Sequence, residues 1–340
     1  MDGRGALLAG AIGACAALSI LAAPAGARAA TAGPAQERIL WRGYVDVSLA
    51  TVWARPGELR VVDRPSASDP ADIRRWLSAM TITQRRWLVG RAVTQATYGT
   101  PVLVTARQGR WSRVAVRGQP SQLSSYGYPG WVPTRQLTAN SSLLRLQRGH
   151  PVAVVTRRTA WLRHPAGYAR AIEISYGTRL VVLGRSGRYA IVATPNGGRL
   201  AIRLGAVAGY PSVRAIPAPT GARVVDAARR FVGLAYLWGG TSGFGFDCSG
   251  LTHMVFRRFG ITIPRDADQQ ALHGRPVSRP ALRPGDLLFF AGPGGTGRVS
   301  HVAVYAGRGR MIEAPRTGLP VRIVPVSSRS DRYAGARRYL

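Results

Sequence analysis

The chain contains two cysteines, and they lie in very different surroundings. Cys15 is part of an N-terminal apolar stretch, whereas Cys248 follows the glycine-rich run Gly239–Gly243 and lies in the segment Phe246-Asp247-Cys248-Ser249-Gly250. If the N-terminal stretch is an export signal that is removed, Cys248 has no cysteine with which to form an intramolecular disulfide. Such a cysteine is either an inert buried thiol or a nucleophile. The flanking glycines and the preceding acid favour a nucleophile.

A histidine and a glutamate downstream could complete a catalytic set with Cys248. His301 begins an apolar, strand-like segment, and Glu313 ends the next one. The connection Ala306–Arg310 is typical of a hairpin turn. If the hairpin is centred on Gly307, His301 and Glu313 lie directly opposite each other on one face of the sheet. A neutral histidine can take the proton of a thiol, and a carboxylate can orient the histidine, so the spacing predicts a Cys-His-Glu triad.

Simpler interpretations apply to the other candidates. The remaining histidines are expected to be surface or packing residues, and they are His150, His164, His253 and His273. Glu313 by itself could be an ordinary charge at a strand end. One cysteine and one histidine without a second close ligand do not make a metal site, so no metal is predicted.

The elements around Cys248 indicate an α+β arrangement. Residues 248–259 have helical spacing, and a second amphipathic helix is predicted over residues 223–234. The first turn of a helix offers unpaired N–H groups and a partial positive charge, which favour a thiolate and can hold an oxyanion. Short apolar strands follow up to residue 324. Helices followed by an antiparallel sheet predict an α+β domain over residues 222–340.

The region upstream is predicted to be all-β. Two series of short strands between turn residues indicate two small barrels, over residues 35–140 and 145–215. A helical insert over residues 69–90 is expected to interrupt the first series. The proline-containing segment 216–221 is predicted to be the linker to the α+β domain.

Composition and the N-terminus predict the compartment and the class of partner. Residues 1–30 have the basic, apolar and small-residue order of a secretory signal peptide, and no second long apolar run follows. We therefore expect a secreted protein of the periplasm or cell wall, with no membrane span after cleavage.

The net charge is +32, and there are no lysines, so it comes from arginine. Such a polycation can meet anionic envelope polymers. The sequence contains no nucleic-acid recognition motif, so nucleic acid is not a predicted partner.

Four ordered motifs resemble the NlpC family of papain-like cysteine peptidases; they are Tyr236–Gly240 with Asp247–Leu251, Leu282–Phe290, Ser300–Gly307 and Met311–Pro315. Members of that family cleave peptidoglycan stem peptides, usually between γ-D-glutamate and the diamino acid. The resemblance implies Cys248 as the nucleophile, His301 as the base and Glu313 as the third residue. It also implies that the substrate cleft has Tyr236 near the nucleophile and is lined by Asp247 and Ser249. No metal or organic cofactor is implied.

The upstream region resembles the paired bacterial SH3-type domains that precede such catalytic domains in enzymes that trim released muropeptides. There, a tyrosine that matches Tyr128 helps to recognise the free amine of L-alanine. Val93 stands where those relatives have an acid, and Ala267 stands where they often have serine. The expected partner is therefore peptidoglycan or its muropeptides. Two other functions remain open: a cell-wall-binding protein with a silent catalytic domain, and an acyl transferase that uses the same thioester.

Overall fold

The computed structural model describes residues 38–340, which contain three large antiparallel sheets and a two-stranded ribbon. The predicted signal peptide, with Cys15, lies outside the described residues. The α+β class is confirmed. No helix within residues 38–340 is long and apolar enough to cross a membrane.

The first sheet has seven strands in the order β3-β2-β6-β5-β4-β1-β7. Alternating apolar residues bury one face of each strand around a core of valines. The strands are β1 Trp41–Val45, β2 Leu49–Trp53, β3 Ala92–Thr97, β4 Pro101–Gln108, β5 Trp111–Val116, β6 Tyr128–Pro133 and β7 Leu137–Thr138.

Three short helices lie between β2 and β3, namely α1 Arg64–Ala67, α2 Ile73–Ala79 and α3 Ile82–Arg86. The helical insert expected over residues 69–90 contains two of these helices, α2 and α3. Met80 is extended, with φ −86° and ψ 127°. Thr81 then begins a new helix, because its side chain accepts a hydrogen bond from the Gln84 N–H while the Gln84 side chain accepts one from the Thr81 N–H. This capping box competes with continuation of α2.

The second sheet repeats the strand order of the first, as β10-β9-β13-β12-β11-β8-β14. Helix α4, Ser141–Gly149, precedes it and was not predicted from the sequence; the Asn140 side chain caps it. The strands are β8 Val152–Val155, β9 Thr159–Arg163, β10 Arg170–Ser175, β11 Arg179–Ser186, β12 Tyr189–Ala193, β13 Arg199–Arg203 and β14 Val207–Tyr210.

The third region begins with α5, Gly221–Arg229, and its six-stranded sheet has the order β17-β22-β18-β19-β20-β21. Helices α5 and α6 pack on β19, so the nucleophile-bearing helix shares a core with the strand of His301. The remaining elements are β15 Thr241–Ser242, β16 Gly245–Phe246, α6 Cys248–Arg258, α7 Ala267–Leu272, β17 Arg275–Val277, β18 Leu287–Phe290, β19 His301–Gly307, β20 Arg310–Glu313, β21 Arg322–Pro325 and β22 Tyr333–Arg338.

Candidate active site

Cys248 is the first residue of α6 and is half-buried, with a free thiol. The Asp247 side chain caps the helix by accepting a hydrogen bond from the Gly250 N–H at 2.6 Å. Glycine is required at position 250, because a Cβ there would lie 2.0 Å from the carbonyl oxygen of Gly240. The loop before the nucleophile can therefore pack directly on the first turn of α6.

His301 and Glu313 meet across β19 and β20, with 2.8 Å between His301 Nε2 and Glu313 Oε2. The ladder pairs Val304 with Ile312, and a bulge follows before Gly307 pairs with Arg310. Continuing this register by one pair sets Glu313 opposite the residue two positions after His301. The expected directly opposite pairing is therefore wrong. His301 and Glu313 are therefore diagonal neighbours. They still lie on the predicted face, because the bulge is closer to the turn and leaves the alternation between them undisturbed.

Glu313 is fully buried and is surrounded by cationic groups. Its Oε1 accepts hydrogen bonds from Arg322 Nε and Nη2 at 2.9 and 2.8 Å, and its Oε2 accepts one from Arg329 Nε at 2.7 Å. Burial alone would raise the pKa of Glu313, but the hydrogen bond with His301 and the two arginines lower this pKa to about 2. Glu313 is therefore ionised at neutral pH.

An ionised carboxylate only accepts hydrogen bonds, so the proton between Glu313 and His301 belongs to His301 Nε2. Burial lowers the pKa of His301, and Arg329 and Arg322 act in the same direction, whereas the hydrogen bond with Glu313 raises it. The net shift is downward. The imidazole is therefore neutral at pH 7, and its Nδ1 is left as a proton acceptor.

The Cys248 thiol is protonated at rest. Burial, and then the neighbouring Asp247 carboxylate, raise the pKa of Cys248 to about 12, although the backbone N–H groups of Val302 and Ser249 act in the opposite direction. The N–H groups at the start of α6 do favour the thiolate, but burial and the Asp247 charge outweigh them. A neutral thiol needs a general base to become a nucleophile, and the neutral His301 is the candidate for that role.

One cavity of about 520 Å³ brings together Cys248 and the four residues that the resemblance assigned to the substrate, Tyr128, Tyr236, Asp247 and Ser249. Val93, Asp266 and Ala267 also line this cavity. The Tyr128 hydroxyl donates to Asp266 Oδ1 at 3.3 Å. Burial raises the pKa of both tyrosines, so both hydroxyls keep their protons and can act as donors.

Arg265 is a residue of this site that the sequence analysis did not single out. It is 1% exposed. It forms a bidentate ion pair with Asp247, with contacts of 2.6 and 3.1 Å, and it also donates to Ser249 Oγ at 2.9 Å and to Thr94 Oγ1 of β3 at 2.9 Å. The guanidinium thus joins the first sheet to the residues on both sides of the nucleophile. A partly buried aspartate such as Asp247 needs a cationic partner, and this requirement could have directed attention to a nearby arginine in the sequence.

None of the histidines in residues 38–340 is among the lining residues of this cavity; His301 lies directly after Val299 and Ser300, which do line it. The other four histidines lie elsewhere. His253 is fully buried on α6, where its Nδ1 is 2.9 Å from the Ile263 carbonyl oxygen. Burial, followed by the charge of Arg257, lowers the pKa of His253 to about 3, so it is a neutral packing residue. His273 is exposed.

A helix that begins with a cysteine, packed on a strand that presents a histidine–carboxylate pair, defines a papain-like cysteine hydrolase. Comparison with known proteins gives the particular family. The model of the NlpC/P60 family matches residues 233–338, and a model named YKFC SH3b2 domain matches residues 155–210.

Two relatives extend this match to most of the chain, and both are named gamma-D-glutamyl-L-lysine dipeptidyl-peptidase. The protein from Bacillus cereus is 41% identical over 91% of this chain and 94% of its own length. The protein from Bacillus subtilis is 36% identical over 82% of this chain and 92% of its own length. A crystal structure of an NlpC/P60 family protein from Bacillus cereus, 41% identical, superposes with a TM-score of 0.85 over 88% of this chain and 99% of that one. The chain belongs to the NlpC/P60 family, and the resemblance inferred from the motifs is confirmed.

Proposed function

We propose that this protein is an exported cysteine peptidase that hydrolyses peptidoglycan stem peptides at the bond between γ-D-glutamate and the diamino acid. The names of the two Bacillus relatives support this specificity. The observation that carries the proposal is the cavity that contains Cys248 at the start of α6, together with the His301–Glu313 pair at 2.8 Å on the strands packed beneath that helix. Muropeptides or intact peptidoglycan stems are the partners of this site.

In the proposed reaction, His301 Nδ1 takes the Cys248 proton as the sulfur attacks the amide carbonyl carbon. The tetrahedral oxyanion is held by the Cys248 backbone N–H, which has no partner within the helix, and by the Tyr236 hydroxyl. The imidazolium then protonates the leaving amine as the C–N bond breaks. Water, deprotonated by His301, hydrolyses the thioester and restores the thiol. Glu313 stabilises the imidazolium in both steps.

The other cavity residues have different roles. Both carboxylate oxygens of Asp247 are already bonded to Arg265 and to the Gly250 N–H, so Asp247 fixes the loop rather than binding substrate directly. Tyr128 and Ser249 border the space for the peptide. Val93 contributes no charge for a free L-alanine amine, so recognition of that amine has to come from elsewhere in the cavity.

Mass spectrometry of peptide products tests the proposal. The mature protein and a Cys248→Ala control are incubated with L-Ala-γ-D-Glu-L-Lys and with its N-acetylated form. We expect release of lysine from the free-amine peptide by the wild-type protein only. Cleavage of both peptides would indicate an endopeptidase that does not need the amine. The absence of Cys248-dependent cleavage of either peptide would refute the proposal and favour a wall-binding protein. A thioester passed to an added amine instead of water would indicate a transferase.

The pH dependence of the rate tests the assignment of Glu313. Because His301 must be neutral to act as the base, kcat/KM should fall as the pH drops through its lowered pKa, below the ordinary 6.5. In Glu313→Gln the anion that favours imidazolium is gone, so the acid limb should move to a still lower pH and the maximal rate should fall by orders of magnitude. Asp331→Asn, which removes an exposed acid from the same region, is the control. An acid limb that stays in place in Glu313→Gln would exclude Glu313 as the partner of the base.

A further inference from the structure

A second cavity, of about 330 Å³, shares no lining residue with the one that contains Cys248. It lies where the turn between β3 and β4, the beginning of β11 and the C-terminal end of α6 come together. Three arginines line it, Arg117, Arg179 and Arg257, and His150 is a further lining residue. None of its lining residues is acidic.

Within residues 38–340, Arg179 and Arg257 donate only to backbone carbonyls. Arg179 Nη2 donates to the Arg257 carbonyl oxygen at 2.7 Å, and Arg257 Nη1 donates to the Gly177 carbonyl oxygen at 3.1 Å. Among the described residues, no carboxylate forms an ion pair with either guanidinium. Arg179 Nε and His150 Nδ1 are buried and have no hydrogen-bond partner within residues 38–340. At least one guanidinium N–H beside the cavity, that of Arg179 Nε, is therefore left without a partner in the described part of the chain.

Arg265 in the catalytic cavity differs from these two arginines in having a carboxylate partner. Arg265 is buried and Asp247 neutralises it, whereas Arg179 and Arg257 are half-buried. At the second cavity, burial and then the charge of Arg179 lower the pKa of Arg257 to about 9. Burial and the charge of Arg258 likewise lower the pKa of Arg179. Two partly desolvated cations without an anion cost stability, and an anionic ligand would offset that cost.

We propose that this cavity binds a small molecule that carries an oxyanion, either a carboxylate or a phosphate, between the Arg179 and Arg257 guanidinium groups. Planar guanidinium groups present paired donors that match both kinds of oxyanion. Arg117, which is exposed, adds a third positive charge at the rim. The remaining lining includes Tyr98, Pro101 and Leu180, which suit a short apolar portion of the ligand. The volume is at the lower end of the range for ligand cavities, so the ligand is the size of a metabolite and not a polymer.

Binding here would connect parts of the molecule that are far apart in sequence. The lining comes from the first sheet, the second sheet and α6, the helix whose other end carries Cys248. A ligand that contacts all three stabilises the folded state by an amount that grows with its concentration. The proposal does not rest on the peptidase activity, because binding can be measured without a substrate.

The test is thermal unfolding and calorimetric titration of the mature protein with inorganic phosphate and, separately, with glutarate, at constant ionic strength set with NaCl. We expect a saturable rise in Tm with at least one probe, and the two probes distinguish a phosphate from a carboxylate. Arg179→Gln and Arg257→Gln should each bind about tenfold more weakly or worse, because each loses a charge-assisted hydrogen-bonding group. Arg185→Gln, an exposed arginine on the same strand as Arg179, should bind like the wild type.

Two results would overturn the proposal: no saturable response of the wild-type protein to either probe, or equal responses in Arg185→Gln and in the two cavity variants. Circular dichroism establishes whether the variants are folded. If Arg179→Gln and Arg257→Gln both fail to fold, Arg117→Gln decides, because Arg117 is exposed and its loss should not disturb the fold. Weaker binding in that variant would support the site, and unchanged binding would exclude it.

Discussion

The two seven-stranded sheets contain the same turn, but the turns have different neighbours. Tyr98-Gly99-Thr100 joins β3 to β4, and Tyr176-Gly177-Thr178 joins β10 to β11 at the equivalent place. The two glycines have nearly the same backbone, with φ of +72° and +75°. Neither tyrosine packs in the core of its own sheet. Tyr98 belongs to the core of the second sheet, and Tyr176 belongs to the core formed by α5, α6 and the third sheet.

This difference shows how a repeated unit is adapted to link successive regions of the chain. The Tyr176 ring packs edge-on against Phe231, with 5.0 Å between the ring centroids. Each SH3-like sheet thus places one buried aromatic ring into the next core along the chain, and large aromatic side chains contribute strongly to core packing. The predicted boundaries near residues 140 and 215 separate sequence patterns, whereas the cores interlock across them.

The largest expected effect is the loss of either ring. Tyr98→Ala and Tyr176→Ala should each lower the free energy of unfolding by about 3–5 kcal/mol, because each leaves a cavity in a packed core. The two variants should differ in where protection from hydrogen exchange is lost. Tyr98→Ala should loosen β8–β14, and Tyr176→Ala should loosen α5, α6 and β19. Loss of protection confined to β1–β7 in Tyr98→Ala would contradict the assignment of Tyr98 to the core of the second sheet.

Alanine at the turn glycines separates the shared backbone from the different neighbours. Gly99→Ala and Gly177→Ala should each cost about 1–2 kcal/mol, because both positions have a left-handed backbone. A Cβ at Gly177 would lie 2.7 Å from Met254 Cε, whereas at Gly99 the nearest atom is the Arg179 carbonyl oxygen at 3.8 Å. Methionine can move, so Gly177→Ala should cost up to about 1 kcal/mol more. Urea denaturation measures both values, and a larger cost at Gly99 would contradict the packing argument.

Local features of the site could be predicted from the sequence. The Asp247 cap, the glycines and the helical spacing after Cys248 depend only on neighbouring residues. The predicted end of α6 therefore differs from the observed end by one residue. Alternation along β19 and β20 correctly put His301 and Glu313 on one face. The register was missed because the bulge before Gly307 depends on a turn in which Arg308 takes a positive φ of 51°, a conformation that sequence patterns rarely indicate for arginine.

Long-range pairings could not be read from the sequence. Arg265 reaches Thr94 across 171 residues of chain. The ion pairs of Glu313 with Arg322 and Arg329 depend on how β21 and the segment after it fold back. In a chain with 47 basic and 15 acidic residues, most arginines are expected on the surface, and nothing local marks those that are buried. The packing of Tyr98 and Tyr176 in the core of the following region could not be predicted for the same reason.

A smaller effect, on activity, should distinguish the two sheets at the catalytic cavity. The first sheet borders this cavity through Val93 and Tyr128, whereas none of the cavity's lining residues belongs to the second sheet. Tyr128→Phe removes the hydroxyl that donates to Asp266 and should lower kcat/KM for the tripeptide by about 3–10-fold. Arg199 is exposed and begins β13, the strand of the second sheet that corresponds to β6. Arg199→Gln should leave kcat/KM unchanged. Equal losses in the two variants would mean that both sheets serve the site.

The smallest expected effect concerns the insert that only the first sheet carries. Arg74 on α2 forms a bidentate ion pair with Glu173 on β10 of the second sheet, with both contacts at 2.6 Å. Burial would raise the pKa of Glu173, but the hydrogen bonds from Arg74 and Thr159 outweigh it and lower the pKa below 4.5. Its contribution to stability is therefore present above that pH and is lost as the pH falls through the lowered pKa.

The side chain of Arg74 is 65% exposed, so solvent screens the pair and its coupling energy should be below about 1 kcal/mol. A double-mutant cycle of Arg74→Gln and Glu173→Gln measures this energy, and Arg75→Gln on the same helix is the control. The coupling should weaken further in 1 M salt, where the Debye length is only about 3 Å. A coupling above about 2 kcal/mol that salt does not change would mean that the insert is a firm connection between the sheets. In that case the Tyr98 ring would not be the main link between the two sheets.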